Sequence, residues 1–236
     1  THSDTEVVLQ AYLRDGVAAF ERLVGMFGVA IWDKRTQELI LARDRLGEKP
    51  LYYTVDPRRL LFGSELKSLL TLPNLVRDID PCAVEEYFAY GYVPEPRTIF
   101  TGAFKLLPGH TLTLKPGMAT LPASKQYWDV PFTPHAAMTD ADIEGETIHR
   151  LREAVESHME ADVPLGAFLS GGVDSSAIVA MMAGLSERPV NTCSIGFDEA
   201  DFDESTYAKQ VAERYKTNHR TEIVDKDDYG LLDLLA

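Results

Sequence analysis

Residues Pro164 to Leu185 read PLGAFLSGGVDSSAIVAMMAGL: a short apolar run, a glycine pair set among hydroxyls with one aspartate, then a run of helix formers. The apolar segment Leu165 to Leu169 predicts a buried strand, and the chain from about Ser175 predicts a helix. Ser170-Gly171-Gly172-Val173-Asp174 is then a strand-to-helix turn. A helix N-terminus carries unpaired N–H groups and a partial positive charge, and two glycines let the backbone come close to a ligand. Together these favour a phosphate. Ser170, Ser175 and Ser176 add hydroxyl donors. Asp174 would repel bare phosphates, so it predicts a magnesium ion shared with them. The simpler account of the same residues is a glycine turn with a Ser/Asp helix cap and no ligand. The common phosphate loop GxxxxGK[ST] is absent, as is GxGxxG.

Downstream, the apolar VNTCSIGF (Val190 to Phe197), the helical TYAKQVAERY (Thr206 to Tyr215) and RTEIVD (Arg220 to Asp225) continue the alternation. Strand, helix, strand, helix, strand is the grammar of a parallel sheet wound with helices. Upstream, Ile143, Ile148, Leu151, Val155 and Met159 recur near helical spacing and predict an amphipathic helix to about Glu160. Before it, Val130 to Asp140 contains Pro131 and Pro134 with no apolar period, which predicts a linker at 131–140 between two domains, 1–130 and 141–236.

The first domain has a different pattern. MFGVAIWD, ELILARD, PLYYTV and LLFGSE are short apolar runs separated by turn-forming stretches, as in an antiparallel sheet, and a hairpin is predicted around HTLTLKPGMATL (His110 to Leu121). Ser3 with Glu6 predicts a capping box for a helix that Gly16 ends, and a second short helix is predicted at Ala18 to Leu23. Ser64 is placed to cap a helix through Leu70, and Asp80 with Pro81 to start one through Tyr90. Arg43, Asp44 and Arg45 read as a surface ion-pair cluster.

The chain has 236 residues, 45% hydrophobic and 25% charged, the balance of a soluble globular protein with one large or two modest domains. Lysine and arginine number 23 against 37 aspartates and glutamates, and the formal charge of −14 argues against nucleic acid as a partner. No apolar run approaches the roughly 18 residues of a membrane span, and THSDTEVVLQ is unlike a signal peptide. Cys82 and Cys193 are too few and too far apart for a disulfide framework, so a cytoplasmic protein without a membrane partner is expected. The first residue is Thr1, as in a processed chain or a piece of a longer one.

The string SGGVDSS after a strand resembles the pyrophosphate-binding loop of the ATP pyrophosphatase family, whose members activate a carboxylate as its adenylate. Upstream, GMFGVAIWD (Gly25 to Asp33), ARDRLGEKPLYY (Ala42 to Tyr53), FGSELKSLL (Phe62 to Leu70) and LPGHTL (Leu107 to Leu112) resemble the glutaminase half of glutamine-dependent asparagine synthetases. ADVPLGAFLSGGVDSS from Ala161 and SIGFDEADFDES from Ser194 resemble the synthetase half, so the resemblance covers essentially the whole chain in family order.

The fold implied is an α+β glutaminase-type (N-terminal-nucleophile) sheet portion followed by an α/β domain with a parallel sheet of ATP pyrophosphatase type, both incomplete. The activity implied is that of a ligase with glutamine as amide donor, aspartate as acceptor, ATP as the activating substrate and Mg2+ as cofactor, in an assembly for which a homodimer is allowed. On this resemblance the backbone of Phe168 and Leu169 lies against the adenine, Ile195 is a second adenine contact, and Ser170, Gly171, Gly172, Val173, Asp174, Ser175 and Ser176 form the ATP loop with Asp174 on the metal. Asp4 corresponds to the aspartate that binds the glutamine α-amino group.

No catalytic residue is carried over. The amino-terminal cysteine, oxyanion asparagine and substrate-clamping arginine of the family pattern would precede Thr1, and a later acid-rich synthetase segment would follow Ala236. The chain alone is therefore expected to be inactive. A doubly wound sheet stopped after three strands is expected to leave one edge and part of an apolar face open. The alternatives are a related amidotransferase acting on another carboxylate, as in β-lactam or exopolysaccharide synthesis, and a non-catalytic nucleotide-binding protein. A tRNA-modifying relative predicts basic surfaces and extra cysteines, and the sequence has neither.

Overall fold

The computed structural model describes residues 3–56, 59–71, 75–118, 122–132, 138–197 and 203–224, and the chain divides into two compact units, Thr1–Thr133 and Pro134–Ala236. The first unit opens with helix α1 (Asp4–Asp15), ended by Gly16 at φ 62°, and continues as a 3-10 helix at Gly16–Arg22 where an α-helix was expected slightly later. Ser3 is the N-cap residue, yet the expected capping box with Glu6 does not form. Asp4 Oδ1 instead accepts the Thr5 amide at 2.6 Å and the Ser3 hydroxyl at 3.4 Å. A charged acceptor next along the chain takes the Thr5 amide and draws the Ser3 hydroxyl as a donor to itself.

The rest of this unit is β1 (Gly28–Asp33), β2 (Glu38–Arg43), β3 (Tyr52–Asp56), β4 (Arg59–Gly63), α2 (Leu66–Leu70), α3 (Pro81–Tyr90), β5 (Phe104–Lys105), β6 (His110–Leu114) and β7 (Lys125–Gln126). The strands form two antiparallel sheets, ordered β1-β2-β6-β7 and β4-β3-β5. Asp80 caps α3 as expected, accepting the Cys82 amide at 2.9 Å. Ser64 does not cap α2: Glu65 holds that position without a side-chain bond. The hairpin expected at His110 to Leu121 is longer, because β6 pairs with β7 in the register His110↔Gln126; residues 119–121 lie outside the described residues.

Strand β2 organises the packing because both of its faces are covered. Ile40 and Ala42 join Tyr12 and Phe20 under the helices, while Leu41, with Leu39 beside it, joins Tyr53, Leu106 and Leu112 between the sheets. Alternate residues of a strand face opposite ways, so the near-continuous apolar ELILA supplies both cores. Each large side chain fully buried there contributes about 1.5–3 kcal/mol.

Arg43 and Asp44, expected on the surface, are buried. The Asp44 carboxylate accepts the amides of Glu48 and Lys49 at 2.9 Å and those of Phe27 and Leu46 at 3.2 Å. Arg43 donates to the carbonyls of Gly47, Lys49 and Leu106 and to Glu95 at 2.7 Å. Buried charges persist only when paired or hydrogen-bonded, and here loop backbone supplies most of the partners.

The second unit contains α4 (Asp140–His158), β8 (Gly166–Phe168), α5 (Val173–Leu185), β9 (Asn191–Phe197), α6 (Ser205–Tyr215) and β10 (Asn218–Val224). Helix α4 begins inside the expected linker, where Thr139 and Asp142 form a capping box; residues 133–137 lie outside the described residues. Strands β10-β9-β8 form a parallel sheet in that order, with β9 paired on both sides. Burial alternates strictly along β9. Thr192, Ser194 and Gly196 point one way, toward the side where Leu169 packs with Val179 of α5 and Ala208 and Ala212 of α6. Both crossovers step the same way across the sheet, which puts both connecting helices on one face. The other face is open, as expected of a wound sheet stopped after three strands: among the described residues, Phe168, Ile195 and Phe197 stand exposed there. No helix among the described residues is long and apolar enough to cross a membrane.

Candidate functional site

Helix α5 starts at Val173, two residues earlier than expected, and its N-cap is Gly172 with no side-chain cap bond. The ligand-free account of this turn required a serine or aspartate cap, and the structure has none. Ser170 and Ser175 turn toward each other instead, with their hydroxyls 3.0 Å apart. Ser170 Oγ also accepts the Gly172 amide, and Ser175 Oγ donates to the Gly172 carbonyl, each at 3.3 Å. The loop is thus braced internally, while the first-turn N–H groups of α5 receive no side chain and their positive end faces outward.

The two glycines do different work. Gly171 has φ +84°, a conformation L side chains rarely adopt, and a Cβ there would lie 2.5 Å from Tyr207 Cβ and 2.6 Å from the Ala208 amide. Its smallness lets the loop sit against the first turn of α6, a packing role that the sequence reading assigned to ligand approach. Gly172 has ordinary backbone geometry and open space, its nearest neighbour being Ser170 Oγ at 3.3 Å. Ser176 Oγ is buried without a hydrogen-bond partner, a polar atom left waiting at the same helix start.

Asp174 lies exposed in the first turn of α5. Among the described residues no three His, Cys, Asp or Glu side chains gather to hold a metal by themselves. A cation here would need ligand oxygens from elsewhere, and magnesium is commonly held by one or two carboxylates together with substrate phosphates. The residues therefore fit that mode of binding and no all-protein cage.

Phe168 and Ile195 fall on the same exposed sheet face, since Phe168 pairs with Cys193 and Ile195 follows two residues on. Leu169 is not with them. Its side chain is buried against Val179 and Ala208, and its amide is taken by the Cys193 carbonyl at 2.8 Å. Val173 is exposed beside the loop. Asp4 belongs to the first unit and is exposed at the head of α1; Thr1 lies outside the described residues.

Asp203 braces the start of α6 by accepting the Ser205 amide at 3.1 Å and its hydroxyl at 2.7 Å, and these bonds hold its carboxyl below the usual range. His219 ties β10 to β9: its ring hydrogen-bonds with Thr192 at 2.9 Å and with Ser194 at 3.2 Å. Only the parallel register puts these residues side by side, so local sequence carried no signal for the pairing. Glu213 lines an open groove beside β10.

Residues 1–128 match the glutamine amidotransferase domain family, and residues 146–234 match the asparagine synthase family. A glutamine-hydrolysing asparagine synthetase 1 of Bacillus subtilis is 36% identical over 230 residues, which is 97% of this chain and 35% of the relative. The corresponding synthetase 3 of the same organism is 34% identical over 242 residues, 96% of this chain and 39% of the relative. Amidase chyE of Penicillium rubens is 36% identical over 228 residues, covering 89% and 33%. The chain thus spans little more than a third of the length of these relatives.

Proposed function

Because the chain belongs to the glutamine amidotransferase domain family and resembles glutamine-hydrolysing asparagine synthetases, we propose that it is part of an enzyme that transfers ammonia from glutamine to the side-chain carboxylate of aspartate, with ATP converted to AMP and pyrophosphate. The observation that carries the ATP half of this reading is the N-terminus of α5. It opens from a glycine loop at the carboxyl end of a parallel strand, and no side chain caps it. The sheet of the second unit is, on this reading, the start of an ATP pyrophosphatase-type domain.

An aspartate oxygen attacks the α-phosphorus of ATP, pyrophosphate leaves, and ammonia then displaces AMP from the acyl phosphate. Converting the carboxylate to its adenylate supplies the leaving group that a carboxylate lacks. The first-turn N–H groups of α5 and the Ser176 hydroxyl bind the departing phosphates, and the free space over Gly172 lets them approach. Phe168 and Ile195 offer the apolar surface for the adenine. Magnesium, when bound, would be held by Asp174 and would neutralise charge on the pyrophosphate. Asp4 binds the α-amino group of glutamine, a recognition role without bond breaking. The site of action is the cytoplasm, which suits two free, exposed cysteines.

Calorimetry on the full chain tests the loop directly. Mg-ATP is expected to bind wild type, and Gly172→Val and Asp174→Asn are each expected to weaken it by about tenfold or more, the loss expected for one charge-assisted contact. Equal binding by wild type and both variants, with folding verified by circular dichroism, would sink the assignment.

A further inference from the structure

The geometry points to a second ligand site in the first unit, an aromatic cleft with one cation at its floor that takes a small aromatic carboxylate. Tyr52 of β3 pairs with Lys105 of β5 across the antiparallel ladder. Directly opposed residues share a sheet face, so these two side chains point together, while the neighbouring pair Tyr53 and Phe104 turns inward with ring centroids 5.7 Å apart. Tyr52 and Lys105 form part of the floor of a cleft of about 470 Å³, whose walls include Leu66 of α2, Tyr87 of α3 and Tyr92 in the turn after it. That volume lies within the range of small-molecule sites, which are mostly apolar with a few placed polar groups.

The charges favour an anion. Lys105 Nζ spends one N–H on the Val93 carbonyl at 2.7 Å. The carboxylate nearby, Glu95, is already held by Arg43 at 2.7 Å, so two cations share one acid. Among the described residues, no acidic side chain lines the cleft. Burial, with Arg43 nearby, lowers the affinity of Lys105 for its proton against the pull of Glu95, so further negative charge at Nζ is favoured. A carboxylate on Nζ would supply that charge, and a planar ring beside it would lie against the tyrosines. The exposed rings are otherwise hard to account for: Tyr87, Phe88, Tyr90 and Tyr92 crowd the end of α3 at more than half exposure in a chain of −14 charge.

The test uses 2-naphthoate and its neutral counterpart 2-naphthamide, titrated into the 15N-labelled full chain. Naphthoate is expected to bind with a Kd on the order of 1 mM, shifting the amides of Tyr52, Tyr92 and Lys105, and to bind about tenfold more tightly than the amide. Lys105→Met is expected to erase the difference between the two probes, and Tyr92→Ala to weaken both. A purely structural Lys105, anchoring the turn through Val93, predicts equal affinity for the two probes. That result overturns the proposal, as do shifts confined to other residues or the absence of saturable binding. Should Lys105→Met fail to fold, the paired probes on wild type and on Tyr92→Ala still decide the question.

Discussion

Gly171 and Gly172 are adjacent and chemically identical, yet backbone conformation and surroundings separate their roles. At Gly171 a methyl group meets both a positive φ and the backbone of α6 at 2.6–2.7 Å. The left-handed conformation alone costs about 1–2 kcal/mol for an L-residue, and the contact with backbone adds to it because backbone cannot swing aside. Gly171→Ala is therefore expected to lower the urea midpoint of the second unit clearly. Gly172→Ala, whose Cβ meets only a serine hydroxyl, is expected to cost at most about 1 kcal/mol. Two-probe denaturation of both variants checks this, and an equal loss of stability in the two would show that the loop is not wedged on α6.

At the scale of elements, β9 separates packing from recognition by its two-residue period. Its buried side carries Thr192 and Ser194, satisfied by His219, while Ile195 and Phe197 face out beside Phe168. Phe168 is 79% exposed, so replacing it removes little buried area. Phe168→Ser is expected to leave the urea midpoint within about 0.5 kcal/mol of wild type while weakening Mg-ATP in the same calorimetric assay, because it stands on the surface assigned to the adenine. Loss of stability without loss of nucleotide binding would instead make that face a packing surface.

For the whole molecule the excess of acids sets two opposing pH effects. Protonating exposed carboxylates relieves self-repulsion in a chain of −14 charge, which favours the folded state as the medium acidifies. Against this stand carboxylates whose hydrogen bonds hold them ionised. Asp33 accepts from Arg35 through the side chain at 2.8 Å and the backbone at 2.8 Å, and from Tyr12 at 3.3 Å, which hold it far below the usual carboxylate range. Because its folded pKa is depressed, its contribution is complete above the unfolded value of about 3.9 and disappears as pH falls through the folded one. Wild type is expected to lose more stability between pH 5 and pH 3 than Asp33→Asn, which lacks this titration. Parallel urea midpoints for the two proteins across that interval would refute the linkage.

The order of elements was legible from residue pattern alone, since strands and helices in each half announce themselves by periods of two and near four. So was the glycine turn between β8 and α5, because glycine, serine and aspartate at a strand-to-helix junction have local consequences that need no tertiary context. Helix starts were read less well. Ser3, Ser64 and the α5 serines all looked like caps and none caps: at Ser3 a neighbouring carboxylate takes the bond, at α5 the serines bond each other, and α2 starts one residue too late for Ser64 to be its cap. What only the tertiary structure decided depends on partners distant in the chain: the burial of Arg43 and Asp44, the docking of Gly171 on Tyr207, the union of His219 with Thr192 and Ser194, and the meeting of Tyr52 with Lys105. A hydrogen bond or a steric contact is set by separations of a few ångströms in space, and these pairs are brought that close by strand register and helix packing, which local sequence does not encode.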